Sequence, residues 1–264
     1  MDKKEDSLSF WEHLDELRSV LISIVLVVLV FSLLAFLFKD EIFSVILAPK
    51  EDDFVLYRLF CKMAEILDMP ELCPGSFDTV LINTQLAGQF LVHVSISMYV
   101  GAIVASPYII YKLFEFVLPA LYENERKYSL RVATSGYLLF ILGVLLNYFI
   151  IFPLTFRFLN QYQVSAEVQN TIMLTSYIDT LMLLSIIMGI VFEIPVVSWL
   201  LSKLGILNST FMKKYRRHAY VIALVIAAII TPTSDVFTLL LVSVPIFVLY
   251  EASIYIVRCV EKRN

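Results

Sequence analysis

Four glutamates lie within or at the edges of strongly apolar stretches: Glu16, Glu125, Glu193 and Glu251. A carboxylate in such a place can hold a cation, compensate a helix dipole or carry a proton, according to its neighbours. Glu16 belongs to SFWEHLDELR. There Phe10, Leu14, Leu17 and Leu21 share one helical face, and Glu12, Asp15 and Glu16 share the opposite one. Ser9 and Glu12 fit a capping box at the start of this amphipathic helix, which reads as lying at the membrane interface before turning into an apolar run. Glu123 and Glu125 sit in LYENERK, just ahead of another apolar run. In the first place the carboxylates read equally as a wet helix face or as groups that hold a cation, and Glu125 reads as a cation-holding group or as compensation of the next helix's dipole.

The stretch ASPYIIYKLFEFVLPALYENERKYSLR, residues 105–131, is too aromatic for a plain linker and too charged at its end to cross a bilayer. Ser106 reads as the N-cap of a short helix whose first residue is Pro107, where a missing N–H is harmless. Pro119 would stop that helix, since proline cannot continue the hydrogen-bond ladder. A short aromatic helix at the membrane surface, followed by exposed carboxylates, suits the docking of something cationic.

Glu193 differs because it falls inside an apolar run, in VFEIPV. A carboxyl there is unfavourable unless neutral, paired or facing water, and Pro195 bends the helix and frees nearby carbonyls. A functional group and a protonated structural glutamate both fit this pattern, and the general rule for intramembrane ionisable residues favours function. Glu251 lies nearer a membrane boundary and reads as structural, while Asp235 is placed to cap the final helix. His93 has no companion ligand at metal spacing. The chain contains no phosphate-binding GxxxxGK[ST] loop and no HExxH, GxSxG or CxxC. It is expected to use no cofactor or metal, to act on no nucleic acid and not to be an enzyme.

The elements that must position these groups follow from composition. Of 264 residues, 59% are hydrophobic and 17% charged, with a mean hydropathy of +0.83, which places the chain among polytopic membrane proteins. The fold class is an all-α integral membrane protein forming one polytopic domain over 1–264. Residues 1–18 form the interfacial helix, and the spans are expected at 19–38, 86–105, 132–152 (ended by Pro153), 178–201, 218–231 and 236–257. The segment 39–85 is a polar loop with nine Asp or Glu against four Lys or Arg. No cleavable leader is visible ahead of the first apolar run.

Charge sets the expected orientation. Fifteen of the 20 Lys and Arg fall in segments 1–18, 106–131, 203–217 and 258–264, whereas the alternate loops hold five. The positive-inside rule then places both termini in the cytoplasm and makes 39–85 extracytoplasmic. Both flanks of 219–257 are basic, so that region must cross twice, giving six spans with a short fifth and sixth. A fifth span of twelve to fourteen residues reaches only about 18–21 Å, against a hydrocarbon thickness of about 30 Å. Local bilayer thinning or a partner helix would relieve the mismatch.

Five motifs occur in register along this framework: SFWEHLDELR, ASPYIIYKLFEFVLPALYENERK, YFIIFP, VFEIPV and ITPTSD. Together they make the chain closely resemble the TatC family, the polytopic core subunit of the twin-arginine protein translocase, over nearly its whole length. The resemblance implies a receptor for twin-arginine signal peptides of folded cargo. It also implies assembly with TatA- and TatB-type single-span subunits and further copies of itself among membrane lipids, and transport driven by the proton-motive force. The implied setting is the bacterial cytoplasmic (inner) membrane.

On this resemblance the signal-binding carboxylates fall on Glu16 and Glu125. Arg18 adjoins the first of them, and Pro107, Phe116 and Pro119 shape the surface between. The chemistry agrees, because paired guanidinium groups call for preorganised carboxylates that accept charge-assisted, often bidentate bonds. Glu193 with Pro195, and the Thr231–Asp235 turn with Glu251, carry the intramembrane polar contacts to partners. The chain departs from the family in two places. Leu239 stands where the family often has Gln, leaving Thr231 to make that polar contact. The loop around 51–77 reads as an insertion, in which Cys61 and Cys73 would close a thirteen-residue ring if oxidised, the disulfide and the free thiols both remaining open. A proton-coupled secondary transporter working through Glu193 is the rival reading, but it calls for internal repeats that the sequence does not contain.

Overall fold

A computed structural model describes residues 10–69, 73, 79–117, 129–165, 170–231 and 235–262. The described chain is mainly helical, with α1 Phe10–Leu37, α2 Lys39–Leu47, α3 Val55–Leu67, α4 Gly88–Val117, α5 Ser129–Leu146 and α6 Phe152–Gln161. There follow α7 Leu174–Val191, α8 Ile194–Lys203, α9 Ser209–Lys214, α10 Arg216–Ile230 and α11 Val236–Glu261. Among the described residues, five stretches are long and apolar enough to cross a membrane: Leu14–Leu37, Gly88–Phe116, Val132–Gln161, Leu174–Lys203 and Val236–Glu261. The apolar helix α10 has 15 residues and is shorter than these.

Several elements depart from the sequence reading, each for a local reason. Helix α1 is continuous from Phe10 to Leu37, so the amphipathic segment and the first apolar run form one rod. The Ser9 cap and the side chain of Glu12 lie outside the described residues. Helix α4 runs through Pro107, so Ser106 is not an N-cap and Pro107 is not a first helical residue. Pro153 does not end the third apolar run. A π-helical segment, Asn147–Ile151, lets Phe152 N–H bond the carbonyl of Asn147, and Pro153 enters as an early residue of α6. The last span is not short, since α11 has 26 residues, about 39 Å at 1.5 Å per residue.

The chain divides into two compact units. One comprises Met1–Leu37 and Ser97–Tyr137, the other Phe38–Ile96 and Leu138–Asn264. In the first, α1 approaches the middle of α4 closely. A Cβ on Gly101 would sit 2.3 Å from Ser32 Oγ and 2.6 Å from Ser32 N, so only glycine admits the contact.

The second unit has a core built by Ile151, Leu184, Met188, Ala227, Val242 and Ile246. Helix α11 packs against both α8 and α10. Outside this core, α2, α3 and two short strands knit the loops. Strand β1, Leu81–Ile82, pairs in parallel with β2, Ile172–Met173. Tyrosine hydroxyls fasten this region to backbone carbonyls, with Tyr57 donating to Pro153 at 3.0 Å, Tyr148 to Val45 at 2.6 Å and Tyr177 to Ile46 at 3.0 Å. Cys61 and Cys73 are joined by a disulfide with their Cα atoms 4.1 Å apart.

Candidate functional site

The polar groups of the first unit sit on two helices. Glu16 and Arg18 are exposed on α1, ahead of its most apolar length. On α4, Pro107 is exposed and Phe116 half-buried. The missing N–H of Pro107 would have bonded the carbonyl of Ile103, and Ser106 Oγ donates to that carbonyl at 2.6 Å instead. The helix therefore continues across its proline and carries Tyr111, Lys112, Glu115 and Phe116 outward on a regular scaffold. Lys112 Nζ donates to Glu115 Oε2 at 2.7 Å, and Tyr111 Oη reaches Glu115 Oε1 at 3.5 Å. Glu115 was not singled out in the sequence, although its i,i+3 spacing from Lys112 in YKLFEF could have flagged it. Pro119 and Glu125 lie outside the described residues.

The second unit holds the intramembrane groups. Glu193 lies at the break between α7 and α8, where Phe192 N–H bonds Met188 O and Glu193 N–H bonds Ile190 O, each at 3.0 Å. Pro195 is buried at the start of α8, which explains why the ladder cannot run straight through. Both carboxyl oxygens of Glu193 are buried, and neither has a hydrogen-bond partner among the described residues. Two glycines let α5 and α7 come close beside this break. A Cβ on Gly143 would lie 2.5 Å from Met188 O, and one on Gly189 would lie 2.5 Å from the Phe140 ring.

Asn147 forms a second polar point in this interior that the sequence reading missed. It is fully buried, its Nδ2 donating to Ser185 Oγ at 2.7 Å and facing Leu181 O at 3.4 Å. An asparagine inside the apolar run LLNYFII was the available signal.

The remaining candidates are held by local bonds. Glu251 Oε1 lies 2.5 Å from Arg216 Nε and also accepts from Tyr220 Oη, so it ties α11 to α10. Asp235 Oδ1 accepts from Thr238 N at 2.7 Å and caps α11. Thr231 ends α10, buried, with no partner for its hydroxyl among the described residues. Glu193 thus stands at the α7–α8 break, while Glu251 is engaged between α10 and α11.

A helical, multiply spanning membrane protein with carboxylates on and between its apolar helices is the class that these features define. The model of the family described as Sec-independent protein translocase protein TatC matches residues 12–245. The chain belongs to this TatC family. It is 36% identical over 267 residues to the TatC protein of Blattabacterium sp. subsp. Periplaneta americana, with 100% of each chain covered. It is 31% identical over 254 residues to that of Escherichia coli K12, covering 96% of this chain and 90% of the other. A crystal structure of the twin arginine translocase receptor TatC matches with a TM-score of 0.74 at 32% identity, covering 94% of this chain and 99% of that one.

Proposed function

We propose that this protein is the receptor and core subunit of a twin-arginine translocase. It binds the signal peptides of folded cargo through Glu16 and Glu125, and Arg18, Pro107, Phe116 and Pro119 shape the docking surface. The observation that carries this reading is the geometry of the first unit. Ser32 meets Gly101 where α1 and α4 touch. Glu16 lies sixteen residues before that point on α1, about 24 Å, and Phe116 lies fifteen residues after it on α4, about 22 Å. Successive spans run in opposite directions, so the carboxylate and the aromatic end of α4 come to similar depth on one side of the membrane. A peptide with an arginine pair and an apolar segment is complementary to such a surface.

In this reading the protein lies in the bacterial inner membrane with both termini cytoplasmic and six spans, α10 being the short fifth. Glu193 and Pro195 receive a TatA- or TatB-type single-span subunit, with Thr231 offering a second polar contact. Further copies of the chain complete the complex, and transport draws on the proton-motive force. A photoreactive residue placed at 16 or 125 is expected to crosslink a twin-arginine signal peptide and to lose that crosslink with a twin-lysine peptide. Equal crosslinking of both peptides by a properly inserted protein would overturn the receptor reading.

A further inference from the structure

The second unit contains a cavity of about 710 Å³ that none of the proposed receptor chemistry uses. Its polar lining includes Lys39, Lys50 and Gln89, and its apolar lining includes Phe43, Leu47 and Phe90. The depth of this cavity follows from the chain itself. Lys39 comes two residues after the first apolar stretch ends at Leu37, and Gln89 one residue after the second begins at Gly88. Both therefore belong to the boundary between hydrocarbon and headgroups, on the side of the 39–85 loop.

The lining divides by chemistry as an anionic lipid does. Lys39 stands at headgroup depth, Lys50 brings a second ammonium group to the same lining, and Phe43, Leu47 and Phe90 supply apolar walls suited to an acyl chain. Among the described residues no carboxylate pairs with Lys39. Lys50 Nζ lies 3.0 Å from Glu51 Oε1, and Glu51 is largely exposed, so that pair competes weakly with a phosphate. Asp40 and Glu41 share α2 with Lys39 but do not line the cavity.

We propose that this cavity is a binding site for an anionic glycerophospholipid of the leaflet facing the 39–85 loop. Lys39 and Lys50 hold the phosphate, and Phe43, Leu47 and Phe90 hold the adjoining acyl chain. A bound lipid would fill the space beside the entry of α4 and brace α2 against it.

The test uses the full-length protein in liposomes with p-benzoylphenylalanine at position 90, irradiated and read by mass spectrometry for lipid adducts. Phosphatidylglycerol is expected to give at least fivefold more adduct than phosphatidylcholine at equal mole fraction. The double substitution Lys39→Gln, Lys50→Gln should lower the phosphatidylglycerol adduct to the phosphatidylcholine level. Lys39→Arg with Lys50→Arg, which keeps the charge and serves as the folding control, should restore it. Equal adducts from the two lipids, or no effect of the glutamine pair, would overturn the proposal. So would an equal loss with Lys213→Gln, Lys214→Gln, which lie outside the cavity. A fall to the phosphatidylcholine level on adding inorganic phosphate would make this a free-anion site and equally remove the lipid.

Discussion

Ser106 Oγ donates to the carbonyl of Ile103, which Pro107 leaves without its normal helical donor. One hydroxyl thus keeps α4 continuous where the sequence suggests a helix start. Ser106→Ala is expected to lower thermal stability by about 1 kcal/mol, because it strips a part-buried carbonyl of its partner. Adding Pro107→Ala supplies a backbone N–H at position 107 and should restore most of the loss. A double-mutant cycle in detergent reads this directly, and additive effects would contradict the substitution of one donor for the other.

Gly143 and Gly189 meet neighbours of different stiffness. The added methyl of Gly143→Ala would collide with the Met188 carbonyl, which cannot move without its helix, and we expect a loss of about 1–3 kcal/mol. Gly189→Ala meets the tip of the Phe140 ring, which can swing away, so its loss should be clearly smaller. Comparing the two melting curves checks the order.

Glu251 ties α11 to α10 through Arg216 and Tyr220. Glu251→Gln should reduce thermal stability, and the difference from wild type should shrink as salt is raised, since Arg216 is half-exposed and screened. If Glu251 instead served transport alone, stability would be unchanged at every ionic strength.

Tyr57 confers a pH limit on the 39–69 region. Burial pushes its phenol up to about 12, against the lowering effect of the nearby Arg157 guanidinium. The unfolded value is about 10. The folded state therefore holds the proton more tightly, and the stabilisation is complete below about pH 10 and lost as pH rises towards 12. Limited proteolysis of this region should accelerate across that interval, and Tyr57→Phe should remove the Tyr57-dependent part of the acceleration. An identical pH profile in the two proteins would contradict this role.

Much of the protein is written along the chain. Apolar runs of spanning length, the glutamates Glu16, Glu193 and Glu251 in or beside them, and the five motifs define a TatC-family membrane protein because hydropathy and short motifs are local properties. Asp235 was legible as a cap for the same reason, its bond reaching only to Thr238. Prolines misled where a neighbour repaired them: Ser106 bridged the gap at Pro107, and the π-helical Asn147–Ile151 carried the helix into Pro153.

What tertiary structure alone decided are the partners of polar groups far apart in sequence. Tyr177 closes on Ile46 across 131 residues and Tyr57 on Pro153 across 96. Arg216 was counted among the basic loop charges, yet it ends on Glu251. Lys39 and Lys50 fall in the polar 39–85 segment and Gln89 at the start of the second apolar span, yet they line one cavity. No periodicity encodes such meetings, because a hydrogen bond or a shared cavity depends on where helices cross, and that is set by packing across the whole unit.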